Sequence, residues 1–147
     1  LKLLLRNFEL PVVSTGGIMD GFVIRKHLDL GAAGVQMGTA FLCCDEAGTN
    51  STYRKYILEK NDRKTELTKG FSGRWARSIQ NEFTEQIKNR DVMPFPLQNI
   101  LTSKLRTLAT KTENGEYQSL WAGENFRKAR ALSVKDLVTE LISEIRA

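Results

Sequence analysis

The stretch from Pro11 to Leu42, PVVSTGGIMDGFVIRKHLDLGAAGVQMGTAFL, limits what this chain can fold into more than any other. Leu10 to Ser14 is a short apolar run rich in β-branched residues, the pattern of a parallel strand buried on both faces. Gly16 and Gly17 follow at once. Glycine accepts positive φ and, having no Cβ, lets a ligand come close to the backbone. Asp20 is placed to cap a helix running to about Leu30, with Gly31 just past its end. Gly34 to Met37 then makes a second short strand, ended by Gly38 and Thr39. Strand, helix and strand in so few residues predict parallel pairing through a right-handed crossover. A glycine turn at the carboxyl end of each strand then sets two backbone nests side by side, an arrangement suited to a phosphate group. The alternative is that these glycines only make tight strand-to-helix turns.

Spacing excludes two familiar phosphate folds. No G-x-G-x-x-G follows the first strand, and no G-x-x-x-x-G-K-[ST] occurs. A glycine turn after each of two consecutive strands is instead how TIM barrels often build a phosphate site after strands 7 and 8.

PVVSTGGIMDG followed by LGAAGVQMGTAFL resembles the FMN-binding end of the nitronate monooxygenases, the 2-nitropropane dioxygenase family. The resemblance continues through GRWARSIQNEF, PFPLQNILT and SLWAG, so it covers most of the chain. The GGI-x-DG and QMGT motifs are shared with FMN-dependent enoyl-acyl-carrier-protein reductases, and PFPLQNILT favours the nitronate enzymes. The resemblance implies that the backbone around Gly16, Gly17, Gly38 and Thr39 holds the FMN phosphate, with Gln36 and Met37 in the same contacting stretch. Thr39 adds a hydroxyl donor. It also implies a parent enzyme that oxidises alkyl nitronates or nitroalkanes with O2 to a carbonyl compound and nitrite. A similar W-A-G turn lies near flavin or substrate in the family, which makes Trp121, Ala122 and Gly123 candidate pocket residues. Trp121 as a plain core aromatic is an equal alternative. The family's substrate-handling His lies upstream in a glycine-flanked motif absent from this chain. The single histidine, His27, falls on the crossover helix, away from the strand ends, and reads as structural. With no Ser/His/Asp set and no Cys/His pair, no catalytic side chain is assigned.

At 147 residues the chain is too short for a complete (β/α)8 barrel of about 250 residues. It opens on LKLLLRNFELPVV, like the end of a helix leading into a barrel strand. The expectation is an α/β chain forming the C-terminal part of a TIM barrel, strands 7 and 8, with a mostly α-helical insertion. The barrel end would cover residues 1–44, the insertion 45–118, and a return to the barrel with a C-terminal helix 119–147. Such a piece would be inactive alone and would associate with itself, as a homo-oligomer, or with the missing half of the barrel, because two strands leave unpaired edges.

The net charge of +5 is dispersed among acids, as in RKYILEKNDRKTELTK, so solvated helix faces are expected rather than a nucleic-acid surface. No apolar run reaches the roughly 20 residues of a membrane span, no membrane partner is expected, and no secretory signal is visible. The default location is the cytoplasm. Cys43 and Cys44 are adjacent, cannot readily pair and lack metal spacing, so they read as small packed apolar residues.

Four further helices are expected. Ser51 to Lys60 places Tyr53, Tyr56 and Ile57 at helical spacing. After a GFSG loop, a helix from about Arg74 would stack Trp75, Ile79, Phe83 and Ile87. Pro94 and Pro96 break the chain, and the next helix would present Leu97, Ile100, Leu101, Leu105 and Leu108 on one face. The last, capped by Ser133 with Asp136 three residues on, carries the stripe Val134, Leu137, Val138, Leu141, Ile142 and Ile145 and should pack on a large surface such as the outside of the barrel.

Overall fold

A computed structural model of the chain describes residues 1–59 and 62–147. The expected end of the third helix, Lys60, lies outside the described residues. The chain forms two compact units, one of Leu1–Gly48 with Asn125–Ala147 and the other of Thr49–Glu124.

The first unit opens on helix α1 (Lys2–Asn7) and strand β1 (Val13–Thr15), which pairs in parallel with β2 (Gly34–Gln36) in the register Val13–Gly34, Ser14–Val35, Thr15–Gln36. Helix α2 (Gly21–Asp29) connects them. Asp20 caps it by accepting from the Val23 N–H at 2.9 Å, and Gly31 follows its end at φ +99°. His27 on α2 and Ser14 on β1 share a hydrogen bond of 2.6 Å between Nδ1 and Oγ, so the histidine ties helix to strand. Helix α6 (Val134–Arg146) begins where the Ser133 hydroxyl accepts from the Asp136 N–H. It lies on α2, and Leu137 and Leu141 bury with Ile18, Ile24 and Cys44. Cys43 and Cys44 are fully buried and form no disulfide, as packed apolar residues do.

Two expectations for this unit change. The first strand starts three residues later and is not buried on both faces: Leu10 and Val13 keep 75% and 55% of their surface. Among the described residues its sheet has two strands. The large surface beneath α6 is α2 and the turn before it; Val138 and Ile142, at the edge of the stripe, stay exposed.

The second unit starts with α3 (Ser51–Leu58), capped by Asn50. An antiparallel ribbon follows, β3 (Thr65–Thr68) with β4 (Ala76–Ile79), turning through the GFSG loop. The expected helix from Arg74 is therefore a strand as far as Ile79, and helical turns begin only with α4 (Glu82–Ile87). A spacing of four residues is also a multiple of the strand period of two, so the stripe fits both. Asn81 decides where the helix begins: its side chain accepts from the Thr84 N–H, while the Thr84 hydroxyl meets the Asn81 N–H. Trp75, in the loop just before β4, is 67% exposed.

Helix α5 (Leu97–Lys111) starts immediately after Pro96. Most of its expected core face is exposed, with Leu105 half-buried. Ile100 and Leu101 are 61% and 65% exposed, and Leu97 and Leu108 are exposed too, whereas Gln98, Thr102 and Ala109 are buried. Hydrogen bonding explains the choice of face. Gln98 Nε2 donates to the Gly70 carbonyl at 2.6 Å, Gln98 Oε1 accepts from the Met93 N–H, and the Thr102 hydroxyl donates to the Phe71 carbonyl at 2.6 Å. These side chains satisfy loop groups that would otherwise be buried unpaired.

The segment Leu120–Ala122 lies beside β4: Ile79 N–H donates to the Leu120 carbonyl, and Ala122 N–H to that of Arg77. The second unit extends through this segment to Glu124, and the ribbon adds two short strands to its helices.

Candidate functional site

The glycine turn after β1 has the conformation a nest requires. Gly16 sits at φ +98° and Gly17 at φ +68°, a region that side chains with Cβ rarely enter. Ile18 and Met19 then turn into the core, 3% and 2% exposed. Among the described residues neither of their amides donates to a protein acceptor. Buried unpaired N–H groups are rare in folded chains. An anion at this turn would accept from them, and a Cβ built on Gly16 meets no atom within 4 Å. The turn therefore fits a phosphate group.

The second turn differs. Gly38 lies at φ −117° and ψ −64°, outside the left-handed region, and heads a one-turn helix over Thr39–Phe41. A Cβ on Gly38 also meets no atom within 4 Å. Because Thr15 and Gln36 are the last paired residues of two parallel strands, Gly16 and Met37 leave the same edge of the sheet. Thr15 Oγ1 donates to the Gln36 carbonyl at 3.1 Å and locks that end of the ladder. Gln36 is exposed, while the half-buried Met37 side chain packs against the Ile18–Leu137 core. The amino end of α2 is occupied by protein: the Gly21 N–H donates to Glu144 Oε2 at 2.6 Å.

One segment of the same unit grips the loop from Gly17 to Asp20. Asn125 Nδ2 donates to the Gly17 carbonyl at 2.7 Å, Lys128 Nζ to Asp20 Oδ2 at 2.9 Å, and Arg130 Nη2 to the Met19 carbonyl at 3.3 Å. Arg130 is itself held by Glu140 and Glu144 of α6. Burial pushes the Asp20 carboxyl up, but the Lys128 ammonium, the Val23 N–H and Arg130 outweigh it and hold the carboxyl below its ordinary value. These residues were missed in the sequence. Asn is a common turn residue, but no local pattern ties position 125 to position 17.

Trp121, Ala122 and Gly123 belong to the second unit. The Trp121 ring meets Phe71 edge-on at 5.5 Å, and Phe71 stacks on Phe83 at 4.4 Å. The Trp121 carbonyl accepts from the Tyr53 hydroxyl. Nearby, Glu116 Oε1 accepts from Arg63 Nη2 at 2.5 Å and from the Tyr56 hydroxyl at 2.7 Å. Burial, and then the Glu116 carboxylate, push the Tyr56 phenol up to about 12.

A parallel βαβ unit with a glycine turn at its carboxyl edge is an α/β arrangement of the kind on which TIM barrels often build a phosphate site. Sequence comparison carries this further. The nitronate monooxygenase family model matches residues 1–144, and the chain belongs to that family. It is 39% identical over 142 residues to a probable nitronate monooxygenase of Staphylococcus haemolyticus, covering 95% of this chain and 40% of the relative. It is 39% identical over 139 residues to one of Bacillus subtilis, covering 92% and 40%. Among solved structures it matches nitroalkane oxidase from Streptomyces ansochromogenes with a TM-score of 0.95 and 36% identity, covering 99% of this chain and 42% of that one. FabK from Thermotoga maritima shares the fold at a TM-score of 0.81 and 24% identity, covering 99% and 47%. The chain spans about 40% of the length of the curated relatives it matches.

Proposed function

We propose that this chain is the C-terminal, cofactor-binding part of an FMN-dependent nitronate monooxygenase, with β1 and β2 as the seventh and eighth strands of a (β/α)8 barrel. The observation that carries the reading is the Gly16–Gly17 turn at positive φ, followed by buried Ile18 and Met19, whose amides have no protein acceptor among the described residues. In this reading Gly16, Gly17, Gly38 and Thr39 hold the FMN phosphate, largely through backbone donors, with the backbone of Gln36 and Met37 completing the wall. Bound FMN supplies the redox chemistry between an alkyl nitronate and O2, giving a carbonyl compound and nitrite. The chain binds and orients; no side chain of it is assigned to proton transfer, and His27 is engaged with Ser14. Trp121 to Gly123 are proposed as part of the substrate pocket. The coverage of relatives supports assigning turnover to the complete protein, so the 147 residues alone are expected to release no nitrite.

The test is an assay of the complete protein. Oxygen uptake with stoichiometric nitrite from an alkyl nitronate supports the proposal. Oxidation of reduced nicotinamide by an enoyl thioester, without nitronate turnover, overturns it in favour of an enoyl reductase.

A further inference from the structure

Asn125 lies 108 residues from Gly17 in sequence and contacts it through one exposed hydrogen bond. Its Nδ2 donates to the Gly17 carbonyl at 2.7 Å, and a Cβ on Gly17 would stand 3.1 Å from that same nitrogen. The peptide joining Gly17 to Ile18 is trans. In a planar trans peptide the C=O and the next N–H point in opposite directions. Fixing the Gly17 carbonyl toward Asn125 therefore fixes the Ile18 N–H away from it. A Gly-Gly turn has two residues whose backbone is otherwise free to rotate, so an external hold decides where that amide points. Asn125 is itself anchored. It precedes a one-turn helix, Phe126–Lys128, in which Phe126 is 2% exposed and Lys128 pairs with Asp20.

We propose that Asn125 is a positioning residue of the phosphate site: its amide orients the Gly17–Ile18 peptide so that the Ile18 N–H is presented to a phosphate monoester. This rests on the FMN reading above and names a residue through which that site gains its selectivity for the phosphorylated form.

The experiment compares FMN with riboflavin, which lacks the phosphate, by flavin fluorescence titration of the complete protein and of Asn125→Ala and Asn125→Asp. Asn125→Asp keeps the shape but places an acceptor against the Gly17 carbonyl. The wild type should prefer FMN. Both variants should lose about tenfold in FMN affinity or more, with riboflavin affinity unchanged, and should keep the wild-type Tm without flavin, because Asn125 is exposed and contributes no core packing. Wild-type preference for FMN that survives in both variants overturns the role of Asn125 and leaves the phosphate reading standing. Equal loss of FMN and riboflavin, or a Tm fall in both variants, marks a general structural role and also overturns it. A wild type that binds FMN no better than riboflavin overturns the phosphate reading itself, and this proposal with it.

Discussion

Replacing Gly21 by Ala should destabilise the protein, although alanine is the better helix former. The intrinsic preference at a helical position favours alanine by about 0.5–1 kcal/mol. Gly21, however, is where α2 meets α6. A Cβ there would overlap the Leu141 carbonyl oxygen and stand 2.5 Å from Glu144 Cβ and 2.8 Å from Ile145 N. Two of these three atoms are backbone, so no rotamer change relieves the overlap. Restoring ordinary contact needs α6 to move by about 1 Å, and a gap of that size forfeits a quarter to a half of each dispersion contact. The side chains that lose contact are Ile24, Leu137 and Leu141, the centre of the first unit's core. The shift also stretches the 2.6 Å hydrogen bond from Gly21 N–H to the Glu144 carboxylate, a charge-assisted bond worth about 1.5–3 kcal/mol. Overpacking of this kind costs about 1–3 kcal/mol, and with the weakened hydrogen bond the net loss should be about 2–3 kcal/mol after the helix-propensity gain. Thermal unfolding of the complete protein should show Tm lowered by about 3–4 °C. Gly34→Ala is the control, because its added Cβ meets nothing within 4 Å and should be neutral. A Gly21→Ala protein as stable as the wild type would refute the close packing of α2 on α6.

Three further outcomes are expected. Gly38→Leu in the complete protein should expel FMN while leaving the flavin-free Tm unchanged, since a Cβ there meets no atom within 4 Å; retained flavin stoichiometry would place the phosphate elsewhere. On α5, Thr102→Val should cost about 1–3 kcal/mol by stranding the Phe71 carbonyl, while Leu101→Ala should stay within about 0.5 kcal/mol; the reverse order in urea unfolding would show the helix faces exchanged. Burial raises the Glu116 carboxyl, but Arg63, the Tyr56 hydroxyl and the Glu82 N–H hold it below its ordinary value, so the stability it contributes is present above the ordinary carboxylate pKa and lost as pH falls through the depressed one. Tyr56 titrates in the opposite sense: its contribution is full below pH 10 and lost as pH rises toward about 12, and Tyr56→Phe should flatten that alkaline limb of the stability curve.

Local signals carried the sequence reading of the first unit. Asp20, Gly31 and Ser133 act at helix ends through bonds to neighbours three or so residues away, and all three sit where their residue types indicate. The second unit was less legible because its decisive interactions are long-range. Which face of α5 turns inward depends on the Gly70 and Phe71 carbonyls, 28 and 31 residues earlier, and a hydropathy stripe contains no record of them. The ribbon of β3 and β4 was hidden by a four-residue spacing common to both periods. At the candidate site, the double glycine was visible and the brace on it was not, since Asn125 acts across 108 residues. The second glycine turn shows the limit of spacing as evidence: Gly38 follows its strand as expected but has ordinary helical-side φ, so its use there is room rather than a left-handed bend.

The glycine edge of β1 and β2 is proposed as part of a flavin site. The most direct test is the visible absorption spectrum of the purified complete protein, with the flavin released, identified and counted. One FMN per chain is expected, either as isolated or after reconstitution. A colourless protein that takes up no FMN would contradict it.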